Sequence, residues 1–355
     1  MIIHMAADAT RDQQQAVLKR IEEAGFGHEV IHGSTGINVI GVLGDLSGVE
    51  ESYFGELGGV DKVIRITKPY KRVSRKTPLD QKTITVGEVT VGGPQLTVMA
   101  GPCSVESETQ FLTVAGYVSA MGIRIMRGGA YKPRTSPYSF QGMGRRALEI
   151  MAAARERYGL KIVTEATGMH HHILENGTRE EKNVLENVIE FADIIQVGAR
   201  NMKSYGFLQE LAAMTQEKKT PILLKRGDSS TLTDFLLAAE YIVAKGNPNV
   251  VLCLRGIRTF EEEKFQRYTP DIGAIAVLKQ ESNLPVMFDP SHSAGYRSRV
   301  QAVSLAAVAA GADGLLIETH NDPARAQCDG EQSVTGEELE RIVRIALKVR
   351  KAVSG

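Results

Sequence analysis

From Leu96 onward, eight short β-forming runs alternate with amphipathic stretches of helical period, and this rhythm constrains the fold more than any other feature of the chain. The runs read LTVMAG, IRIMRG, KIVTEA, DIIQVG, PILLKRG, VVLCLRG, PVMFDPSH and GLLIETH. Amphipathic segments such as residues 108–121, 232–245 and 300–310 lie between them, and residues 337–353 close the chain. Eight strand–helix units over roughly 250 residues have the size and order of a (β/α)8 TIM barrel. A doubly wound sheet is the rival, but no glycine-rich dinucleotide fingerprint follows the first strand.

The chain has 355 residues, enough for such a barrel and one small appendage. Ahead of the barrel come an apolar run at 1–5, an amphipathic stretch at 12–23, two further runs at 28–32 and 37–43, a short helix near 49–57 and a strand at 60–66. That βαββαβ order buries its apolar faces only against a common sheet, which predicts a small ferredoxin-like α+β domain. Gly33 and Gly36 bracket its hairpin turn. KPYKRVSRKTPL, at 68–79, has no apolar period and reads as a linker. The expected division is a ferredoxin-like domain at 1–67, a linker at 68–80 and a catalytic barrel at 81–355, opened by the β-hairpin TITVGEVTVGG.

Lysine and arginine number 42 against 42 acids, so no global field invites nucleic acid, and anions must be held by local clusters. No apolar run approaches a membrane span and no secretory leader is legible, so a cytoplasmic enzyme is expected. Cys103, Cys253 and Cys328 are odd in number and far apart, which leaves their thiols for metal or core roles rather than a disulfide framework.

Active sites of TIM barrels form at the C-terminal ends of the strands. Here those ends supply Cys103, Arg127, Glu165, Arg200, Lys225, Arg255, His292 and Glu318, with Lys132 and Arg134 past the second strand and Asp329 past the eighth. Any one of them is unremarkable, since single charged residues are usually solvated. A reactive residue at every strand end is another matter, because turn formers belong there. Cys103, His292, Glu318 and Asp329 form a mixed soft and hard donor set suited to one divalent ion, Mn2+, Fe2+ or Zn2+. Arg127, Lys132, Arg134, Arg200, Lys225 and Arg255 form a cationic basin suited to phosphate and carboxylate; internal salt bridging to acids is the bland alternative.

The motifs AGPCSVES, MRGGAYKPRTSPYSFQG, QVGARNM, LLKRG, LRG and DPSHSAGYR resemble, in order and over nearly the whole chain, 3-deoxy-D-arabino-heptulosonate 7-phosphate (DAHP) synthase of the type I-beta branch. The resemblance implies metal ligation by Cys103, His292, Glu318 and Asp329. It implies phosphoenolpyruvate held by Arg127, Lys132, Glu165, Arg200, Lys225 and Arg255, and the phosphate of erythrose 4-phosphate held by Arg134, Thr135 and Ser136. Lys132, Cys103 and His292 are the residues expected at the reacting centre. It also implies a homotetramer inhibited by an aromatic amino acid bound at the N-terminal domain; the branch admits partnership with a chorismate mutase, which no feature of this sequence demonstrates.

Three features depart from the family pattern. The segment after the third strand is long and carries His170, His171 and His172, which reads as a solvated loop rather than a second metal site. Asn321 stands where proline is usual, and Cys328 directly precedes Asp329, as in the sister 3-deoxy-D-manno-octulosonate 8-phosphate synthase. The helix KSYGFLQELAAM after the fourth strand is divergent. The alternatives are therefore the sister enzyme acting on arabinose 5-phosphate, against which KPRTS at 132–136 argues, and a non-catalytic metabolite-sensing barrel, against which the complete ligand set and Lys132 argue.

Overall fold

The computed structural model describes every residue except 34–35, 47, 66–67, 76–79, 81, 134–135, 137, 175–176, 263 and 355. The chain divides into two compact units, Met1–Lys71 and Arg72–Gly355.

The first unit runs β1 (Ile2–Met5), α1 (Arg11–Glu23), β2 (Gly27–Gly33), β3 (Gly36–Leu43), α2 (Ser52–Gly55) and β4 (Val60–Ile64). Helix α1 starts where Thr10 and Gln13 form a reciprocal capping box. Its Val17 and Ile21 lie at helical spacing and are fully buried with Ile3, Ile40 and Phe54. The antiparallel sheet has the order β2-β3-β1-β4, the ferredoxin-like arrangement anticipated from the element order.

In the second unit, a hairpin of β5 (Ile84–Val86) and β6 (Val89–Val91) precedes the barrel. The barrel strands are β7 (Thr97–Gly101), β8 (Ile125–Arg127), β9 (Lys161–Ala166), β10 (Ile194–Val197), β11 (Ile222–Lys225), β12 (Val250–Leu254), β13 (Val286–Phe288) and β14 (Gly314–Glu318). All eight pair in parallel, and β14 closes onto β7. Around them lie α3 (Glu108–Ala120), α4 (Arg145–Tyr158), α5 (Val184–Phe191), α6 (Tyr205–Thr215), α7 (Leu232–Ala244), α8 (Gly273–Glu281), the short α9 (Pro290–Ala294), α10 (Arg297–Ala309) and α11 (Gly336–Ser354).

Strands covered on both faces must be apolar throughout, and β12, VVLCL, is buried at every residue. Inside the barrel, Met99, Ile125, Val163, Ile194, Leu223, Val251 and Met287 pack with Ile84, Val86 and Val91 of the hairpin. The hairpin therefore stoppers the N-terminal end of the barrel, and the C-terminal end is left open. Cys253 belongs to this core, where burial pushes its thiol up to about 12. No helix among the described residues is long and apolar enough to cross a membrane.

Candidate active site

A cavity of about 510 Å³ opens at the strand C-termini. One wall carries the candidate metal donors. Cys103 follows β7 at a sulfur–sulfur distance of 2.9 Å from Cys328 and 3.3 Å from Asp329 Oδ2. His292, on α9, has its Nε2 3.7 Å from Glu318 Oε1 and 3.8 Å from Asp329 Oδ2. Two triads result, Cys103 with Cys328 and Asp329, and His292 with Glu318 and Asp329; within each, the donor atoms lie within 4.8 Å of one another. Donors on opposite sides of one ion, with bonds of roughly 2.0–2.3 Å, lie about 4–4.6 Å apart, so each triad is compact enough to hold a divalent ion, with Asp329 the donor common to both. Asp329, common to both triads, adopts a left-handed backbone at φ 50°, an uncommon conformation for a non-glycine residue and one often found at functional sites.

Behind the donors stand buried groups that orient them. Asp289 Oδ2 lies 2.8 Å from His292 Nδ1, and Asp289 Oδ1 accepts the His292 backbone N–H at 2.9 Å, capping α9. Asp289 also pairs with Lys225, and Glu318 pairs with Arg127 and accepts from Gln332. Burial opposes the negative charge on Asp289, but His292 and Lys225 hold its carboxyl well below the usual range. Asp329 is likewise pushed down to about 2, where His292, Lys132 and Arg267 outweigh its burial.

The facing wall is cationic. Arg127, Lys132, Arg200, Lys225, Arg255, Arg258 and Arg267 line it against only Glu165, Asp228 and Asp329 among the described residues. The salt-bridge alternative holds for part of the basin, since Arg127 and Lys225 each have a buried acid. Arg200 donates to Pro133 O at 3.0 Å, and Arg255 stacks 4.0 Å over the Tyr268 ring, which leave positive charge for a ligand. Lys132 Nζ bonds the Cys103 sulfur at 3.2 Å and so joins the two walls. Burial disfavours its ammonium, but Cys103 and Cys328 beside it raise its pKa above the ordinary lysine range. Gly129 gives that side chain its space: a Cβ there would stand 2.3 Å from Lys132 Cε.

Cys103, Arg127, Lys132, Glu165, Arg200, Lys225, Arg255, His292 and Asp329 thus border one cavity, with Glu318 buried against it. Ser136 lines the rim, while Arg134 and Thr135 lie outside the described residues. Sequence reasoning missed Asp289, Gln196, which donates to Glu165 at 2.8 Å, and a network around Tyr131. In that network Tyr131 donates to Glu180 at 2.8 Å, Asn187 reaches both, and Glu180 accepts the Arg145 backbone N–H at 2.9 Å. His172 stacks edge-on to Tyr131 and His171 Nδ1 lies 2.9 Å from Glu180 O. The histidine-bearing loop therefore braces the residue next to Lys132; the three histidines form no metal-competent group among the described residues.

A closed parallel barrel that gathers a thiol, an imidazole and two carboxylates against a cation-lined cavity is a TIM-barrel enzyme shaped for anionic substrates. Its family follows from the whole sequence: residues 76–354 match the DAHP synthetase I family and residues 1–68 the DAHP synthase ferredoxin-like domain, and the chain belongs to this family. A phospho-2-dehydro-3-deoxyheptonate aldolase from Thermotoga maritima is 40% identical, covering 99% of this chain and 98% of its own. The crystal structure of a Thermotoga maritima DAHP synthase superimposes with a TM-score of 0.74 at 39% identity, covering 99% of this chain and 98% of that one. A 2-dehydro-3-deoxyphosphooctonate aldolase from Desulfosudis oleivorans is 27% identical over 77% of this chain and 97% of its own.

Proposed function

We propose that the chain condenses phosphoenolpyruvate with erythrose 4-phosphate and water, giving DAHP and phosphate, the first step of the shikimate route to aromatic amino acids. One observation carries the reading: Lys132 bridges a metal-competent cluster and a cationic wall within a single cavity. Arg127, Arg200, Lys225 and Arg255 hold the phosphate and carboxylate of phosphoenolpyruvate, and Ser136, with Arg134 and Thr135, holds the sugar phosphate. The cations thereby offset the repulsion between two multiply charged substrates and fix the reacting carbons near one another.

Cys103, His292, Glu318 and Asp329 would hold a divalent ion, Mn2+, Fe2+ or Zn2+, which would supply Lewis-acid chemistry for the aldehyde oxygen. The methylene carbon of phosphoenolpyruvate attacks the aldehyde carbon, and Lys132, an ammonium held charged beside Cys103, delivers a proton to the developing alkoxide. Glu165, oriented by Gln196, positions the water whose oxygen adds to the former enol carbon. Phosphate then departs with cleavage of the carbon–oxygen bond. The ferredoxin-like unit serves feedback inhibition by an aromatic amino acid in a homotetramer.

The experiment is consumption of phosphoenolpyruvate by metal-reconstituted enzyme with erythrose 4-phosphate or arabinose 5-phosphate, beside Cys103→Ala and Lys132→Met. Preference for the four-carbon sugar, lost in both variants but with metal binding kept in Lys132→Met, is expected. Preference for arabinose 5-phosphate moves the enzyme to the sister reaction, and no turnover with either sugar revives the sensing barrel.

A further inference from the structure

We propose that Cys328 is a second thiolate donor to the metal ion, making this a two-sulfur centre. The inference rests on the reading of this cluster as a metal site and adds a ligand to it.

Cys328 and Cys103 are each 3% exposed, neither belongs to a disulfide, and their sulfurs are 2.9 Å apart. Two sulfurs on one tetrahedral ion, with bonds near 2.3 Å, lie roughly 3.8 Å apart, so a separation of about 1 Å, within reach of side-chain rotation, seats an ion between them. Cys328, Cys103 and Asp329 already bring their donor atoms within 4.8 Å of one another.

Backbone geometry supplies an independent argument. Cys328 and Asp329 are consecutive, and both line the same cavity. Asp329 stands in a left-handed turn, φ 50° and ψ 38°, an uncommon conformation for a non-glycine residue and one often kept at functional sites.

Charge is the remaining difficulty, because two thiolates and two carboxylates exceed the charge of a divalent ion. Lys132 at 3.2 Å from Cys103 and Arg127 on Glu318 supply the compensation within the cluster. A second soft donor also shifts metal choice: zinc and ferrous iron gain over manganese, which prefers oxygen.

Cobalt(II) reports thiolate ligation directly through its sulfur-to-metal charge-transfer absorption, whatever the substrate. The full-length protein, stripped of metal and kept reduced, is titrated with Co2+ alongside Cys328→Ser, Cys328→Ala and Cys103→Ser, each checked for native circular dichroism. The expected result is loss of about half the charge-transfer intensity in each Cys328 variant and in Cys103→Ser, and X-ray absorption of the zinc-loaded wild type that shows two sulfur neighbours falling to one in Cys328→Ala. Full intensity in both Cys328 variants, or a single sulfur neighbour in the wild type, overturns the proposal while leaving the metal site intact. Absence of any cobalt band in the wild type overturns the metal reading itself.

Discussion

Asp289→Asn separates the charge of this buried carboxylate from its shape. Asparagine caps a helix as well as aspartate does, so α9 keeps its first backbone hydrogen bond to residue 289. What disappears is a negative charge, 1% exposed, that faces Lys225 and stands 2.8 Å from His292 Nδ1. Removing one partner of a buried ion pair costs about 3–5 kcal/mol, because the other charge stays buried without compensation. For a domain of this size that corresponds to a Tm lower by roughly 6–20 °C. If His292 ligates the ion as proposed, loss of the carboxylate behind it lowers metal affinity about 10–100-fold, or roughly 1.4–2.8 kcal/mol.

Acid removes the same interaction from the wild type. The Asp289 carboxyl is depressed in the folded protein, so its stabilisation is complete above the unfolded value of about 3.9 and is lost as pH falls through the lower folded value. The gap in stability between wild type and Asp289→Asn therefore narrows as pH falls below about 4. Calorimetry of the metal-stripped proteins across pH measures the first effect, and competition with a chelator measures the second. Equal Tm values and equal metal affinities at neutral pH would refute the assignment of Asp289 as the charge that orients His292 and balances Lys225.

Three further outcomes are expected. Gly129→Ala places a Cβ 2.3 Å from Lys132 Cε and 2.7 Å from the Cys103 carbonyl, so kcat falls about 100-fold with metal stoichiometry preserved, measured by steady-state kinetics and metal analysis. Glu180→Gln weakens the brace on Tyr131 and raises KM for the aldose phosphate about 10-fold with KM for phosphoenolpyruvate unchanged; equal effects on both would show a general loss of structure instead. Removal of residues 1–71 leaves barrel turnover in place, since Arg72–Gly355 is a compact unit of its own, and abolishes any response to tyrosine, phenylalanine or tryptophan.

The barrel was legible because parallel strands declare themselves locally, each as an apolar run ending in a reactive residue. Cys103, His292 and Glu318 needed only the rule that such ends face one mouth. Their partners were not legible for the opposite reason. Cys103 meets Cys328 across 225 positions, and that meeting depends on β14 closing onto β7. Asp289 sits in the same motif as His292, yet Asp-Pro ahead of a short helix reads as an ordinary cap, and only the register of β11 against its neighbours brings Lys225 to it. Glu180 belongs to a polar loop without period, so nothing local marks it as the group that steadies Tyr131.

The pairing of Arg127 with Glu318 links the two walls of the cavity energetically. Glu318 is a buried carboxylate whose charge is supported by His292 and Arg127 against its burial. On the proposed ligation, an ion held by Glu318 would relieve Arg127 of that duty and free its guanidinium for the cavity it lines beside Lys225 and Arg255. Metal binding is then expected to tighten phosphoenolpyruvate binding, and by linkage phosphoenolpyruvate to tighten metal binding by the same factor. A coupling of about 1–3 kcal/mol, or 5–150-fold, is the expected scale for two sites that share one charged residue. Titration calorimetry of phosphoenolpyruvate into metal-free and Mn2+-loaded protein measures it. Equal affinities would mean that Arg127 holds Glu318 and the substrate at once, and the metal and anion sites would then be neighbours without being linked.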